Sequence, residues 1–231
     1  MNKIPNTFVN QTIEINNMPL PTIGAYLGET YAQCYEDIIM ESLIRVHGIN
    51  SNAVYVEIGA NHPVCTSPSY LFEIKYNMSG ILVEANPKLV PALHKFRKNV
   101  KIINAAIVDN DSTTVEFYVS RNNETSSLDS KFVDIRTPGL EEKIVVRAMR
   151  INDILKMTDG SDIAMLTIDV EGYDLHLIKD MDFNKYRPRL IQIEPSEDYS
   201  PGSTSQIISY LVSNNYTLVG VTDVNLIFSK N

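Results

Sequence analysis

Short β-branched runs alternate with amphipathic stretches over residues 54–58, 67–76, 80–83, 88–97 and 101–108, and this constrains the fold more than any other feature. Strands separated by helix-length segments cannot close as tight hairpins, so they lie parallel and are joined by right-handed crossovers. The expected class is α/β, a mostly parallel sheet with helices on both faces. A lead-in helix is expected over 31–46, where Ile38, Ile39, Leu43, Ile44 and Val46 recur at helical spacing among charged residues and Gly48 follows. The middle breaks the rhythm. Strands are expected over 113–119 and 143–149, with an exposed, mobile Ser/Asn/Asp-rich loop over 120–130. Beyond it the pattern gives a short helix over 151–156, a buried strand over 164–168, a helix over 173–180, a strand over 190–194 and a helix over 203–214. Runs at 216–221 and 226–229 read as a closing antiparallel pair.

The 231 residues suffice for one sizeable core, so a single domain over 31–231 is expected behind an N-terminal arm over 1–30 rich in turn-forming residues. With 20 basic against 28 acidic side chains the net charge is −8, which repels nucleic-acid phosphates and anionic lipid; neither is an expected partner. Cys34 and Cys65 are far apart and form no C-x-x-C motif, and no apolar run reaches membrane-spanning length. A cytoplasmic protein is expected, and a homo-oligomer is compatible with these features.

Four strand ends carry chemistry. The run Val56-Glu57-Ile58-Gly59-Ala60-Asn61-His62-Pro63 leaves a strand through a carboxylate and a glycine, a place where a ligand can approach the backbone. It lacks the later glycines of a dinucleotide fingerprint. Glu84 ends the next strand, 25 residues past Gly59 (84 − 59), where a carboxylate can accept both hydroxyls of an adenosyl ribose; a plain solvated strand end is the alternative. Asp169 and Glu171 follow a buried strand, and Glu194 ends its neighbour. In an open α/β sheet these tips converge on one crevice. There Asp169 can attract a sulfonium, take a proton from a hydroxyl, or hold Mg²⁺ or Mn²⁺ with Glu194 and a nitrogen of His62. A helix cap is its structural alternative.

Three stretches carry a family resemblance: Tyr31-Ala32-Gln33-Cys34-Tyr35-Glu36-Asp37; residues 56–61 with 80–87; and Asp169-Val170-Glu171-Gly172-Tyr173 with the strand ending at Glu194. The chain resembles the FkbM-type S-adenosylmethionine-dependent methyltransferases. The resemblance implies a Rossmann-like class I methyltransferase fold, with the cofactor held by Glu57, Gly59, Ala60, Asn61, Glu84, Ala85 and Asp169. It also implies O-methylation, often of a sugar hydroxyl. Glu57 stands where an Asp is more usual, and Pro63 where many relatives have Gly.

The function expected is methyl transfer from S-adenosylmethionine to a sugar or sugar-nucleotide hydroxyl in glycan or polysaccharide biosynthesis. Asp169, Glu194 and His62 are the catalytic candidates, and Gln33, Asp37 and Glu171 the substrate ones, with Arg121, Lys131 and Arg136 near a diphosphate. An NAD-dependent oxidoreductase and a non-catalytic cofactor-binding module are the rivals.

Overall fold

The computed structural model describes residues 30–48, 52–137 and 139–231, with the short strands β1 (Glu14–Ile15) and β2 (Met18–Pro19), which pair antiparallel. The rest of the expected arm lies outside the described residues. Helix α1 (Glu36–His47) leads into β3 (Val54–Ile58), α2 (Tyr70–Tyr76), β4 (Ser79–Glu84), α3 (Val90–Phe96) and β5 (Val100–Asn104). Then come β6 (Ala106–Val108), β7 (Thr114–Ser120), α4 (Ser130–Arg136), β8 (Leu140–Arg150) and α5 (Ile151–Lys156). The chain continues through β9 (Ile163–Ile168), α6 (Asp174–Asp180), β10 (Leu190–Ile193), α7 (Ser203–Ser213), β11 (Tyr216–Val221) and β12 (Leu226–Lys230).

The main sheet runs β11-β12-β10-β9-β3-β4-β5, with β12 antiparallel to both neighbours and the pairs from β10 to β5 parallel. Side chains alternate across it. Val56, Ile58, Leu166, Ile168, Ile191 and Ile193 pack with α5, α6 and α7 on one face, while Tyr55, Met165, Leu190 and Ile227 pack with α1, α2 and α3 on the other. This is the Rossmann-like class I methyltransferase arrangement, with a mostly parallel sheet and an antiparallel closing strand.

Three expectations need correction. The strand read over 101–108 breaks at Ala105: the Asn104 side-chain Nδ2 donates to the carbonyls of Glu84 and Ala85, at 2.7 and 3.1 Å, and residues from Ala106 on join β8 and β7 in a separate three-stranded sheet. The lead-in helix starts at Glu36 because Tyr35 adopts a left-handed φ of 66°. The 120–130 segment is not an exposed loop. Ser120, Ser126 and Ser127 are buried, Ser127 exchanges backbone bonds with Tyr118, and Asp129 caps the unforeseen α4 by accepting from the Lys131 amide at 2.8 Å.

Candidate active site

The carboxyl ends of β3, β4 and β9 open on a cleft of about 250 Å³ whose wall is completed by the 120–130 segment. At its inner end stands Glu84. Its Oε1 accepts the Asn86 amide at 2.7 Å and its Oε2 the Asn61 amide at 2.8 Å, which aims the carboxylate and leaves each oxygen capacity for one more donor. Burial pushes its pKa up to about 7 against the pull of those amides. Ala85, Ala105, Ala106, Ile107 and Phe117 supply an apolar wall beside it. A flat, largely apolar base and a ribose diol match this end.

Gly59 has a φ of 88°, and a Cβ there would stand 1.7 Å from the Asp169 carbonyl oxygen. Its freedom therefore lets β3 pass the end of β9, a tighter demand than ligand approach alone.

The other half of the cleft is acidic. Asp169, Glu171 and Glu194 each bring one oxygen to within 4.8 Å of the others, the one such group found among the described residues. Burial, and next the Asp169 charge, raise the Glu194 pKa to about 11, which favours its neutral form. Asp169 itself is raised, chiefly by burial, with Glu194 and Arg136 opposing and Glu36 adding to the rise. Glu171 is held well above the carboxylate range by burial and by Asp169. Asp169 Oδ1 and Glu194 Oε2 are buried without a hydrogen-bond partner. Arg136, from α4, is the cation of this half; it lies 3.5 Å from Glu194 and 2.9 Å from Asp198.

Gln33, Gly59, Asn61, Glu84, Ala85, Asp169, Glu171 and Glu194 thus line one cleft, while Glu57, Ala60, His62 and Asp37 do not. Glu57 lies beneath it, accepting from Ser67 and Ser69 and 3.8 Å from the buried Arg97 guanidinium, so it supports the 59–69 loop. Ala60 packs in the core. Asp37 accepts from Thr30 Oγ1 at 2.6 Å and the Tyr31 amide at 2.7 Å, which ties down the start of α1. His62 Nδ1 accepts the Val64 and Cys65 amides at 3.0 and 2.7 Å, and burial lowers its pKa to about 4. The structure therefore places a neutral imidazole away from the acidic group rather than among its oxygens. The helix-cap alternative for Asp169 does not hold: α6 has no side-chain cap bond, and its first residue, Asp174, accepts the Val170 and Gly172 amides of the preceding loop at 3.0 and 3.1 Å.

Sequence reasoning missed Glu124. It lines the cleft, and burial followed by the Asp169 charge raises its pKa to about 6. No strand tip marks it, and its neighbours read as loop. The exposed Arg121 and Lys131 do not line the cleft.

The model of the methyltransferase FkbM domain matches residues 57–218. The chain belongs to the FkbM methyltransferase family. It is an S-adenosylmethionine-dependent methyltransferase, and the nicotinamide reading falls away. No curated protein matches the sequence. Among solved structures, the chain is similar to precorrin-6y C5,15-methyltransferase from Geobacter metallireducens, with 14% identity over 84% of this chain and 87% of that one and a TM-score of 0.45. The N-terminal domain of human METTL16 shows 11% identity over 84% and 67%, with a TM-score of 0.45. M. jannaschii TYW2 in complex with AdoMet shows 13% over 90% of each chain, with a TM-score of 0.35. No helix among the described residues is long and apolar enough to cross a membrane.

Proposed function

We propose that this FkbM-family protein is an O-methyltransferase acting on a hydroxyl of a sugar or sugar-nucleotide acceptor, in glycan or polysaccharide biosynthesis. The observation that carries the reading is the buried Asp169 carboxylate lining the cleft beside Glu194, next to the part that Glu84 equips for a ribose. S-adenosylmethionine, when bound, supplies an electrophilic methyl group on a sulfonium. Glu84 accepts the ribose hydroxyls, and Ala105, Ile107 and Phe117 exclude water from the base. Asp169 takes the acceptor hydroxyl's proton as the oxygen forms its bond to carbon, and its raised pKa makes it a stronger base than an ordinary aspartate. Gln33, Thr125 and Ser126 offer a sugar-like acceptor the polar groups that fix its orientation. Arg136 is engaged with acids, so a sugar nucleotide's diphosphate stays at the rim near Arg121 and Lys131.

A screen of sugars and sugar nucleotides with methyl-labelled S-adenosylmethionine tests this. Label should appear on a sugar oxygen, and label found only on a nitrogen, carbon or nucleic-acid acceptor would refute the reading. The placement of Asp169, Glu171 and Glu194 supports a second version, in which their oxygens hold Mg²⁺ or Mn²⁺ as a Lewis acid for the hydroxyl. Loss of turnover with EDTA and recovery with either ion would select that version.

A further inference from the structure

Behind the cleft, on the α1 face of the sheet, lies a second chamber of about 20 Å³, walled in part by Thr167, Gln192, Asn225, Asp169, Glu36 and Glu57. Strand register builds it. Glu57 pairs with Thr167, and Thr167 with Gln192, so three successive strands place polar side chains side by side at the end of an otherwise apolar face. Thr167, Gln192 and Asn225 are 2%, 3% and 3% exposed. Even so, Thr167 Oγ1, Gln192 Oε1, Asn225 Oδ1 and Asp169 Oδ1 all lack a hydrogen-bond partner. The Asn225 orientation is fixed, because its amide nitrogen donates to Glu36 Oε1 at 3.1 Å and leaves the oxygen turned away.

Buried polar atoms are rarely left unsatisfied, and here every unsatisfied atom is an oxygen. Three are acceptors only and the fourth is a hydroxyl. Three carboxyl-bearing residues also wall the chamber, and Arg97, beside Glu57, is the cation close to one of them. A water molecule donates two hydrogens and the Thr167 hydroxyl can donate a third, but neither offsets the carboxylates that wall the chamber. A cation accepts all four oxygens at once and offsets the carboxylates. The space admits a single water-sized body without a hydration shell, which disfavours Mg²⁺, since that ion sheds water reluctantly. We propose that this chamber is a binding site for one dehydrated monovalent cation of sodium or potassium size, held by the side-chain oxygens of Thr167, Gln192, Asn225 and Asp169. Hydroxyl and carbonyl oxygens replace its hydration shell, as they do for alkali ions elsewhere. The ion would hold the cleft floor in place from behind.

The test is thermal unfolding of the whole protein in sodium, potassium, lithium and choline chlorides at equal ionic strength. Sodium or potassium should raise Tm over choline by on the order of 5 °C, saturably with concentration. Thr167→Val and Gln192→Leu should each remove that difference, and Thr167→Ser, which keeps the hydroxyl, should retain it. Equal Tm values for the unaltered protein in all four salts would overturn the proposal and leave the chamber to water. So would a cation effect that survives unchanged in both oxygen-removing variants. If those variants fail to fold, the salt series on the unaltered protein still decides.

Discussion

The two halves of the cleft are built on opposite principles. Around Glu84 the one charged group is aimed by two backbone amides and flanked by apolar side chains. Around Asp169 four carboxyl groups, those of Asp169, Glu171, Glu194 and Glu124, crowd together, and two of their oxygens have no hydrogen-bond partner. The first half is complete before its ligand arrives, which suits recognition of one invariant cofactor. The second is electrostatically expensive as it stands, and pairs of acids pushed apart in pKa are what proton transfer requires. Stability is given up where chemistry is done.

The strongest way to break this contrast is Asp169→Asn. Cofactor affinity should persist while kcat falls roughly 10²–10⁴-fold, read by methyl-label turnover. Gly59→Ala joins the halves: its Cβ meets the Asp169 backbone at a left-handed φ, so the variant should lose roughly 2–4 kcal/mol in urea unfolding and damage both sites together. Next comes pH. Burial holds Glu57 and Glu84 at about 7, Asp174 at about 8 and Glu124 at about 6. Between the ordinary carboxyl range and these values the native state keeps protons that the unfolded chain has released, so stability falls as pH rises from about 5 to about 8. His62, lowered to about 4, opposes this below its usual value, one group against these four and Glu194. Thermal scans of ligand-free protein should lose roughly 5–10 °C across that window. Glu194→Gln should flatten the slope, since Glu194 stays protonated throughout. The smallest effect is expected of Arg121→Ala with Lys131→Ala: S-adenosylmethionine affinity should move by less than about 0.5 kcal/mol in calorimetry, as neither side chain lines the cleft.

Much of this was legible in the sequence because hydrophobic period and strand tips are local signals. The strand carrying Glu84, the buried run before Asp169 and the closing pair all show in residue order, and they suffice to bring Asn61, Glu84, Asp169 and Glu194 to one crevice. Glu57 shows the limit. Its strand-end position reads as ligand-facing, but the partner that draws it below the floor is Arg97, 40 residues on (97 − 57). The 120–130 segment failed differently. Its serines and asparagines look like solvent-seeking loop, yet they satisfy one another, Ser120 Oγ donating to Asn122 Oδ1 at 2.7 Å and Thr125 Oγ1 to Thr137 Oγ1 at 2.8 Å. Polar pairing of that kind has no period to read, so Glu124 and helix α4 stayed hidden with it. His62 misled by proximity: it follows the glycine turn, but its ring serves the backbone of its own loop.

The division of labour is tested most directly by titrating S-adenosylmethionine calorimetrically into the unaltered protein, Glu84→Ala and Asp169→Asn. Glu84→Ala should weaken binding by about 1.5–3 kcal/mol, the scale of hydrogen bonds to a charged group, and Asp169→Asn should leave it within a few tenths. Unchanged affinity in Glu84→Ala, with the loss appearing in Asp169→Asn, would contradict the assignment of the two halves.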